Sequence, residues 1–295
     1  MALPNWSVAD SRAGVLTLRL TGASGSVWRF LLVSDAHLDS IHCDRQRFFE
    51  DMERAKALGA VVLFNGDLFD AMQGRADPRR SMDDLREEYR RDDYYDFVVE
   101  DVARLLAPYA GQIALVGTGN HESKVRKFQG TDLVERLVYA LRKEHRSPVV
   151  SGGYKGWVRL QVVRSDGRMV QTVVLRYAHS AGGGNAPVTR GVIQTNRQSV
   201  YVVDADVVWN GHNHQGFLLP VARERLSTKG RVYRDVVWFV RTPGYKDEFT
   251  QRVGGWAVEK GGGPTPMGAA LLTVRLERDK ARRWQVRTNI EMWVR

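Results

Sequence analysis

Five short polar stretches, each following an apolar run, carry the residues of this chain that could do chemistry. After F-L-L-V come Asp35 and His37, in S-D-A-H-L-D. After V-V-L-F come Asp67 and Asp70, in N-G-D-L-F-D. After I-A-L-V come Asn120 and His121, in G-T-G-N-H-E. His179 follows V-V-L-R-Y-A, and His212 and His214 follow V-V-W-N-G. The chain has seven histidines, and most of them stand at these run ends rather than being scattered. Carboxylates, one amide and several imidazoles, with no thiolate, make a mixed oxygen and nitrogen shell. Such a shell suits first-row divalent ions better than Ca²⁺ or an iron–sulfur cluster. Seven candidate ligands (Asp35, His37, Asp67, Asn120, His179, His212 and His214) are too many for one ion. They suit two ions that share one bridging carboxylate. On an extended segment residues i and i+2 face the same way, so Asp35 can act with His37, and His212 with His214.

The apolar runs must be the elements that position these residues. Val15–Leu20 and Val27–Val33 read as strands, Asp44–Leu58 as a helix with Phe48, Phe49, Met52 and Ala55 on one face, and Ala60–Phe64 as a strand. Asp96–Leu106 is helical in pattern, Ile113–Val116 is a strand, and Thr131–Leu141 is a helix with Thr131 as its expected N-cap. This β-α-β-α-β-α order calls for parallel strands joined by helical crossovers. In such sheets ligands bind beyond the C-terminal strand ends, so the five stretches should converge. The second half is mostly β. Trp157–Val163 and Met169–Tyr177 flank an S-D-G-R turn, and further strands cover about Val207–Trp209, Phe217–Ala222, Val232–Val240, Ala269–Leu276 and Trp284–Ile290. The expected fold class is α/β: a four-layer α-β-β-α sandwich of two packed mixed sheets flanked by helices.

Neither repeats nor a linker interrupt the chain, so residues 1–295 are expected to form one domain. A charged insertion near 71–96 and a basic, β-rich part from about 215 belong to it. The segment Arg75–Asp96 carries 6 Arg against 8 Asp+Glu, which reads as a solvated helix or loop, with a dimer contact as the minority reading. Gly254–Gly268 reads as a long loop. The formal charge is +10, and Gln215–Arg295 alone holds 16 Lys+Arg against 8 Asp+Glu. A basic face attracts polyanions such as DNA or RNA; the plainer alternative is that the high pI only aids solubility. Cys43 is the lone cysteine, so no internal disulfide forms, which fits a reducing cytoplasm. No apolar run reaches the roughly 18 residues of a membrane span, and the N-terminus lacks a signal-peptide pattern.

Together the five stretches resemble the motifs of the calcineurin-like metallophosphoesterases: D-A-H at Asp35–His37, G-D-L-F-D at Gly66–Asp70, G-N-H-E at Gly119–Glu122, His179 alone, and G-H-N-H at Gly211–His214. They stand in the family's order. The resemblance implies two packed sheets flanked by helices and a dinuclear centre. It implies that Asp35, His37 and His214 hold one metal, that Asn120, His179 and His212 hold the other, and that Asp67 bridges them. Manganese is the foremost expectation for both ions, with iron, zinc or nickel as alternatives. It further implies that His121 is not a ligand but assists the leaving group, and that Asp70 orients it, fixing its tautomer and raising its pKa. Two such cations neutralise phosphoryl oxygens and make hydroxide available near neutral pH.

The substrate is less defined. Ala71 and Met72 follow Asp70, where protein phosphatases of this superfamily carry Arg-Gly. Glu122 and the short tail set the chain apart from the family's DNA-resecting nucleases. The A-G-G-G-N-A-P-V-T-R-G and P-G-Y-K-D-E segments resemble those of uncharacterised phage and bacterial metallophosphoesterases. Hydrolysis of a phosphodiester, in nucleic acid or a nucleotide, is the first reading. A phosphomonoesterase or small-molecule pyrophosphatase is the second, and a non-catalytic nucleic-acid-binding or scaffolding protein the third. Arg190, Lys246 and Arg126 are candidate substrate contacts, with Lys127 behind them, and Gly182–Gly184 offer close backbone approach. Trp256 is expected in the core or at a rim rather than stacked on a base. His42 and His145 are expected at the surface, and Asp39 in a loop or cap. The oligomeric state stays open.

Overall fold

The structure is a computed structural model; it describes residues 5–73, 83–180, 189, 191–249, 258 and 261–295. Two mixed sheets lie face to face. One has seven strands: β1 (Asn5–Arg12), β2 (Val15–Gly22), β7 (Lys155–Arg164), β8 (Met169–Ala178), β9 (Val207–Asn210), β11 (Val232–Arg241) and β10 (Phe217–Leu226), in that spatial order. The other has six: β13 (Trp284–Val294), β12 (Gly268–Arg278), β3 (Val27–Val33), β4 (Val61–Phe64), β5 (Ile113–Val116) and β6 (Val150–Ser151). The strands β3 to β6 run parallel, as the alternating order of the first half requires. In the seven-stranded sheet β8, β9 and β11 run parallel, so their C-terminal ends share one edge.

Strand alternation builds the core. Leu16, Leu18 and Leu20 of β2, Val158, Leu160 and Val162 of β7, and Leu272, Val274 and Leu276 of β12 all point between the sheets. Each fully buried aliphatic side chain there contributes roughly 1.5–3 kcal/mol. A second core lies on the far side of the six-stranded sheet, against α1 (Arg45–Ala57), α2 (Tyr94–Leu106) and α4 (Leu133–His145). Asp44 caps α1 by accepting from the Arg47 N–H at 2.9 Å, and Arg54 and Lys56 in the last turn suit the helix dipole. The outer face of the seven-stranded sheet is covered more thinly. Val208, Val237 and Phe239 pack there against Val202 and Ala205, in the stretch that follows the short α5 (Val192–Arg197). The helical layers are therefore unequal, heavy on one sheet and slight on the other.

Several local expectations change. The N-cap of α4 is Asp132, whose carboxylate accepts from Val134 and Glu135 N–H at 3.1 Å each; Thr131 stands one residue outside. Strand β1 extends the sheet antiparallel to β2. Helix α3 (Asn120–Gln129) starts on the G-N-H-E motif itself. The charged segment is not simply solvated in its described part, because Leu85, Tyr89 and Tyr94 are buried. Arg86 there donates to the carbonyls of Ser40 and Cys43 at 2.9 and 2.7 Å. Among the described residues no helix is long and apolar enough to cross a membrane.

Candidate metal centre

The polar stretches after β3, β4, β5, β8 and β9 meet at one edge of the two sheets. Asp35 N–H donates to the Gly66 carbonyl at 3.1 Å, His37 N–H to Asp67 O at 3.0 Å, and Gly211 N–H to His179 O at 3.0 Å. Asp35 and His37, like His212 and His214, are not aimed by i, i+2 strand geometry, because these segments are not extended. Asp35, His37, Asp67, His212 and His214 all have positive φ, between 48° and 74°. Left-handed backbone at non-glycine residues costs free energy and clusters where a site over-determines it. Tight left-handed turns, not strand pleating, aim these side chains. Gly211 does not supply such a turn. Its role is space: a Cβ there would stand 2.5 Å from both Asp35 Oδ2 and Ser34 Oγ.

Among the described residues, three sets have donor atoms within 4.8 Å of one another: Asp35, His37 and His214; Asp67, His179 and His212; and His37, Asp70 and His121. His212 and His214 thus fall in different sets. His179 Nε2 lies 3.0 Å from Asp67 Oδ2, 3.1 Å from Asn120 Oδ1 and 3.9 Å from Asp35 Oδ1. Its Nδ1 is 2.7 Å from the Asn65 carbonyl, which fixes the ring and leaves Nε2 facing the carboxylates. His214 Nε2 lies 3.5 Å from Asp35 Oδ1. His121 donates its main-chain N–H to Asp67 Oδ1 at 2.9 Å, and its Nε2 is 3.8 Å from Asp67 Oδ2. Asp70 meets His121 through its main-chain carbonyl, which contacts Nδ1. Its carboxylate is 3.8 Å from that nitrogen but 2.9 Å from His37 Nδ1.

Charge dominates the centre. Burial works to raise Asp35, but His179 and His214 outweigh it and hold the group at about 2. Asp67 is likewise depressed, burial being overcome by His179 and His121. Burial alone would lower His179; Asp67 and Asp35 reverse this and raise it to about 10. His121 goes the other way. Burial outweighs the pull of Asp67 and lowers it to about 4, so the expected upward shift from Asp70 is corrected. A neutral imidazole with Nδ1 facing a carbonyl has its proton on Nδ1 and a lone pair on Nε2.

Two buried carboxylates support this edge, and the sequence gives little sign of either role. Glu122 Oε2 accepts from the N–H groups of Gly119 and Asp67 at 2.8 and 3.1 Å, and Oε1 from Phe69 at 3.1 Å. Burial, with Asp67 nearby, raises Glu122 to about 8. Asp39 lies in a turn, as expected of a loop or cap residue, and is fully buried there. It accepts from Asp70 and Ala71 N–H at 2.6 and 3.0 Å and from the Tyr94 hydroxyl. His42 is also buried, against expectation, with Nε2 3.0 Å from Asp84 Oδ1, whereas His145 is exposed. Tyr154, which sequence reasoning missed, is partly exposed and sets its ring edge-on to His179, with centroids 5.5 Å apart.

The substrate candidates fare differently. Lys246 is buried near the centre, held by Asp70 and Glu248. The structure does not bring Arg126 to the site; it is exposed on α3 and pairs with Asp132 at 3.5 Å. Arg190, Gly182–Gly184 and Trp256 lie outside the described residues.

The donors fit divalent transition-metal ions. His37 is 1% exposed, yet neither ring nitrogen makes an aligned hydrogen bond; Nδ1 has the Asp70 carboxylate at 2.9 Å, so Nε2 is the buried atom that calls for a partner. A neighbouring set of carboxylate oxygens and imidazole nitrogens with no sulfur is the shell such ions take. The model of the family described as calcineurin-like phosphoesterase matches residues 29–216, which include every donor named above. No curated protein matches the chain. Among solved structures, it is similar to a predicted phosphoesterase from Streptococcus pneumoniae TIGR4 at 12% identity, over 92% of this chain and 99% of that one, with a TM-score of 0.33. It is also similar to Vps29 from Chaetomium thermophilum at 12% identity, over 90% and 97%, with a TM-score of 0.27.

Proposed function

The chain belongs to the calcineurin-like phosphoesterase family, and from that premise we propose that it is a metal-dependent phosphodiesterase acting on nucleic acid or a nucleotide. The observation that carries this reading is the pair of neighbouring donor sets, one built on Asp35 and the other on Asp67. In it, Asp35, His37 and His214 hold one ion, Asn120, His179 and His212 the other, and Asp67 serves both. Manganese is the first choice for each. The ions, when bound, supply charge neutralisation for an anionic ester and a nucleophile at neutral pH. The chain's own residues do the rest. Asn65 orients His179 through Nδ1, and the Asp70 carbonyl orients His121 so that Nε2 faces Asp67. His121 Nε2, which bears the lone pair, first takes a proton from water and then passes it to the leaving-group oxygen.

A polymeric substrate is favoured by an arginine row on the six-stranded sheet. Arg275 stands directly opposite Arg287 in the β12–β13 register, and Arg29 pairs with Thr273 beside them. These residues face away from the inter-sheet core. Like charges directly opposite each other are destabilising, and Glu277 compensates only Arg287. A phosphate backbone would relieve the repulsion. Gly268 N–H donates to the carbonyl of Gly244, which packs on Asp35, and Arg275 lies seven residues further along β12, about 23 Å at roughly 3.3 Å per residue, or about seven base-pair rises of a duplex. The lone buried thiol of Cys43 suits a cytoplasmic setting. A panel of single-stranded DNA, duplex DNA, RNA, cyclic nucleotides and phosphomonoesters with Mn²⁺ tests the reading. Turnover confined to monoesters would overturn the diester assignment.

A further inference from the structure

The loop after β11 reaches the centre from outside the segment matched by the family model. It is fastened by main-chain bonds. Tyr245 N–H donates to Asp35 O at 3.0 Å, Asp44 N–H to Tyr245 O at 2.8 Å, and Asp247 N–H to His42 O at 2.7 Å. Lys246 sits between these anchors, with its side chain 8% exposed and Nζ 3.2 Å from both Asp70 Oδ1 and Glu248 Oε1. The same Asp70 oxygen lies 2.9 Å from His37 Nδ1. That contact falls short of an aligned hydrogen bond, since His37 Nδ1 makes none. Charge, rather than directional geometry, therefore holds the carboxylate there, and Lys246 supplies the fixed positive charge on its other side.

We propose that Lys246 is a positioning residue for the metal centre: it pins the Asp70 carboxylate beside His37 Nδ1, so that His37 keeps its proton on Nδ1 and offers Nε2 as a ligand. The physical ground is simple. An ionised oxygen 2.9 Å from Nδ1 is attracted to an N–H and repelled by a lone pair. A carboxylate behind a ligating histidine fixes its tautomer and raises its basicity. Asp70 then serves two imidazoles with two different groups, its carboxylate for His37 and its main-chain carbonyl for His121. Lys246 acts through Asp70 and does not grip the substrate. This inference rests on the metal-centre reading above.

The test uses the full chain and its Lys246→Met, Lys246→Arg and Glu248→Gln variants, each checked for folding by thermal unfolding. Mn²⁺ binding by calorimetry and the ¹⁵N shifts of His37 in metal-free protein are the readouts. The expected result is a loss of ~10–100-fold in affinity at one of two sites for Lys246→Met. Lys246→Arg restores most of that affinity, and Glu248→Gln keeps it. In the wild type His37 carries its proton on Nδ1, and Lys246→Met erodes that preference. Wild-type Mn²⁺ affinity at both sites in Lys246→Met, or a wild-type His37 protonated on Nε2, overturns the proposal. If Lys246→Met does not fold, the wild-type ¹⁵N shifts and the Lys246→Arg and Glu248→Gln affinities still decide. A wild type that binds no Mn²⁺ defeats the metal-centre reading, while the ¹⁵N shifts judge the Lys246–Asp70–His37 arrangement separately.

Discussion

The main-chain N–H of His212 donates to both carboxylate oxygens of Asp35, at 3.0 and 2.9 Å, and so ties the end of β9 to the end of β3 across the two sheets. The tie is made by backbone, so it survives loss of the imidazole. His212→Ala should therefore fold and lose only its donor beside Asp67 and His179. His214→Ala should lose the donor beside Asp35 and His37. Each variant is expected to keep one Mn²⁺ per chain and to lose about 10²-fold or more in turnover. Metal analysis after dialysis checks this, and a single variant that empties both positions contradicts the division.

Glu122 holds the loop after β4 to the start of α3. Removing its carboxylate strands three main-chain donors, on Gly119, Asp67 and Phe69. Each buried unsatisfied group costs about 1–3 kcal/mol. Glu122→Ala should thus lower unfolding free energy by several kcal/mol, about 3 or more. Glu122→Gln, which retains one acceptor oxygen, should lose less. Urea unfolding midpoints measure both.

Cys43 is 2% exposed, and burial raises its thiol to about 12. At neutral pH almost no thiolate exists, and the thiolate is the reactive form. A thiol reagent such as DTNB should leave the native protein unlabelled for hours and label one thiol per chain in denaturant. Rapid native labelling would show that the segment between β3 and α1 opens readily.

The arginine row gives a separable prediction. Arg275→Gln with Arg287→Gln should weaken duplex DNA binding and shallow its dependence on salt, by about one to two units of slope, since each phosphate contact contributes about 0.9. Hydrolysis of a small diester should be unchanged, because both residues lie far along β12 and β13 from the centre. Electrophoretic mobility shifts across a salt series measure the effect.

Much of the fold could be read from the pattern of apolar runs. The runs V-W-R-F-L-L-V and I-A-L-V are buried strands over the same residues that their composition indicates. Strand β1 escaped because N-W-S-V-A-D-S-R has only two clear apolar positions, Trp6 and Val8, and its other positions are largely exposed. Thr131 and Asp132 are both good N-cap types, and which one caps α4 is set by where the helix docks.

For the site, residue types announced the donors, but not the backbone that aims them. Positive φ at Asp35, His37, Asp67, His212 and His214 is a tertiary property, imposed by loops packed against each other rather than by local propensity. Burial of Asp39 and Glu122 was hidden for a related reason. A carboxylate that satisfies main-chain N–H groups of a distant loop looks, in sequence, like any surface acid.

In the proposed diester-cleaving centre Asp67 serves both metal positions. The direct measurement is Mn²⁺-dependent hydrolysis of bis-p-nitrophenyl phosphate by the wild type and by Asp67→Ala. Turnover by the wild type that rises with Mn²⁺ and falls by at least about 10³-fold in the variant, several kcal/mol of lost stabilisation, is the predicted result. Equal turnover by the two proteins would contradict it.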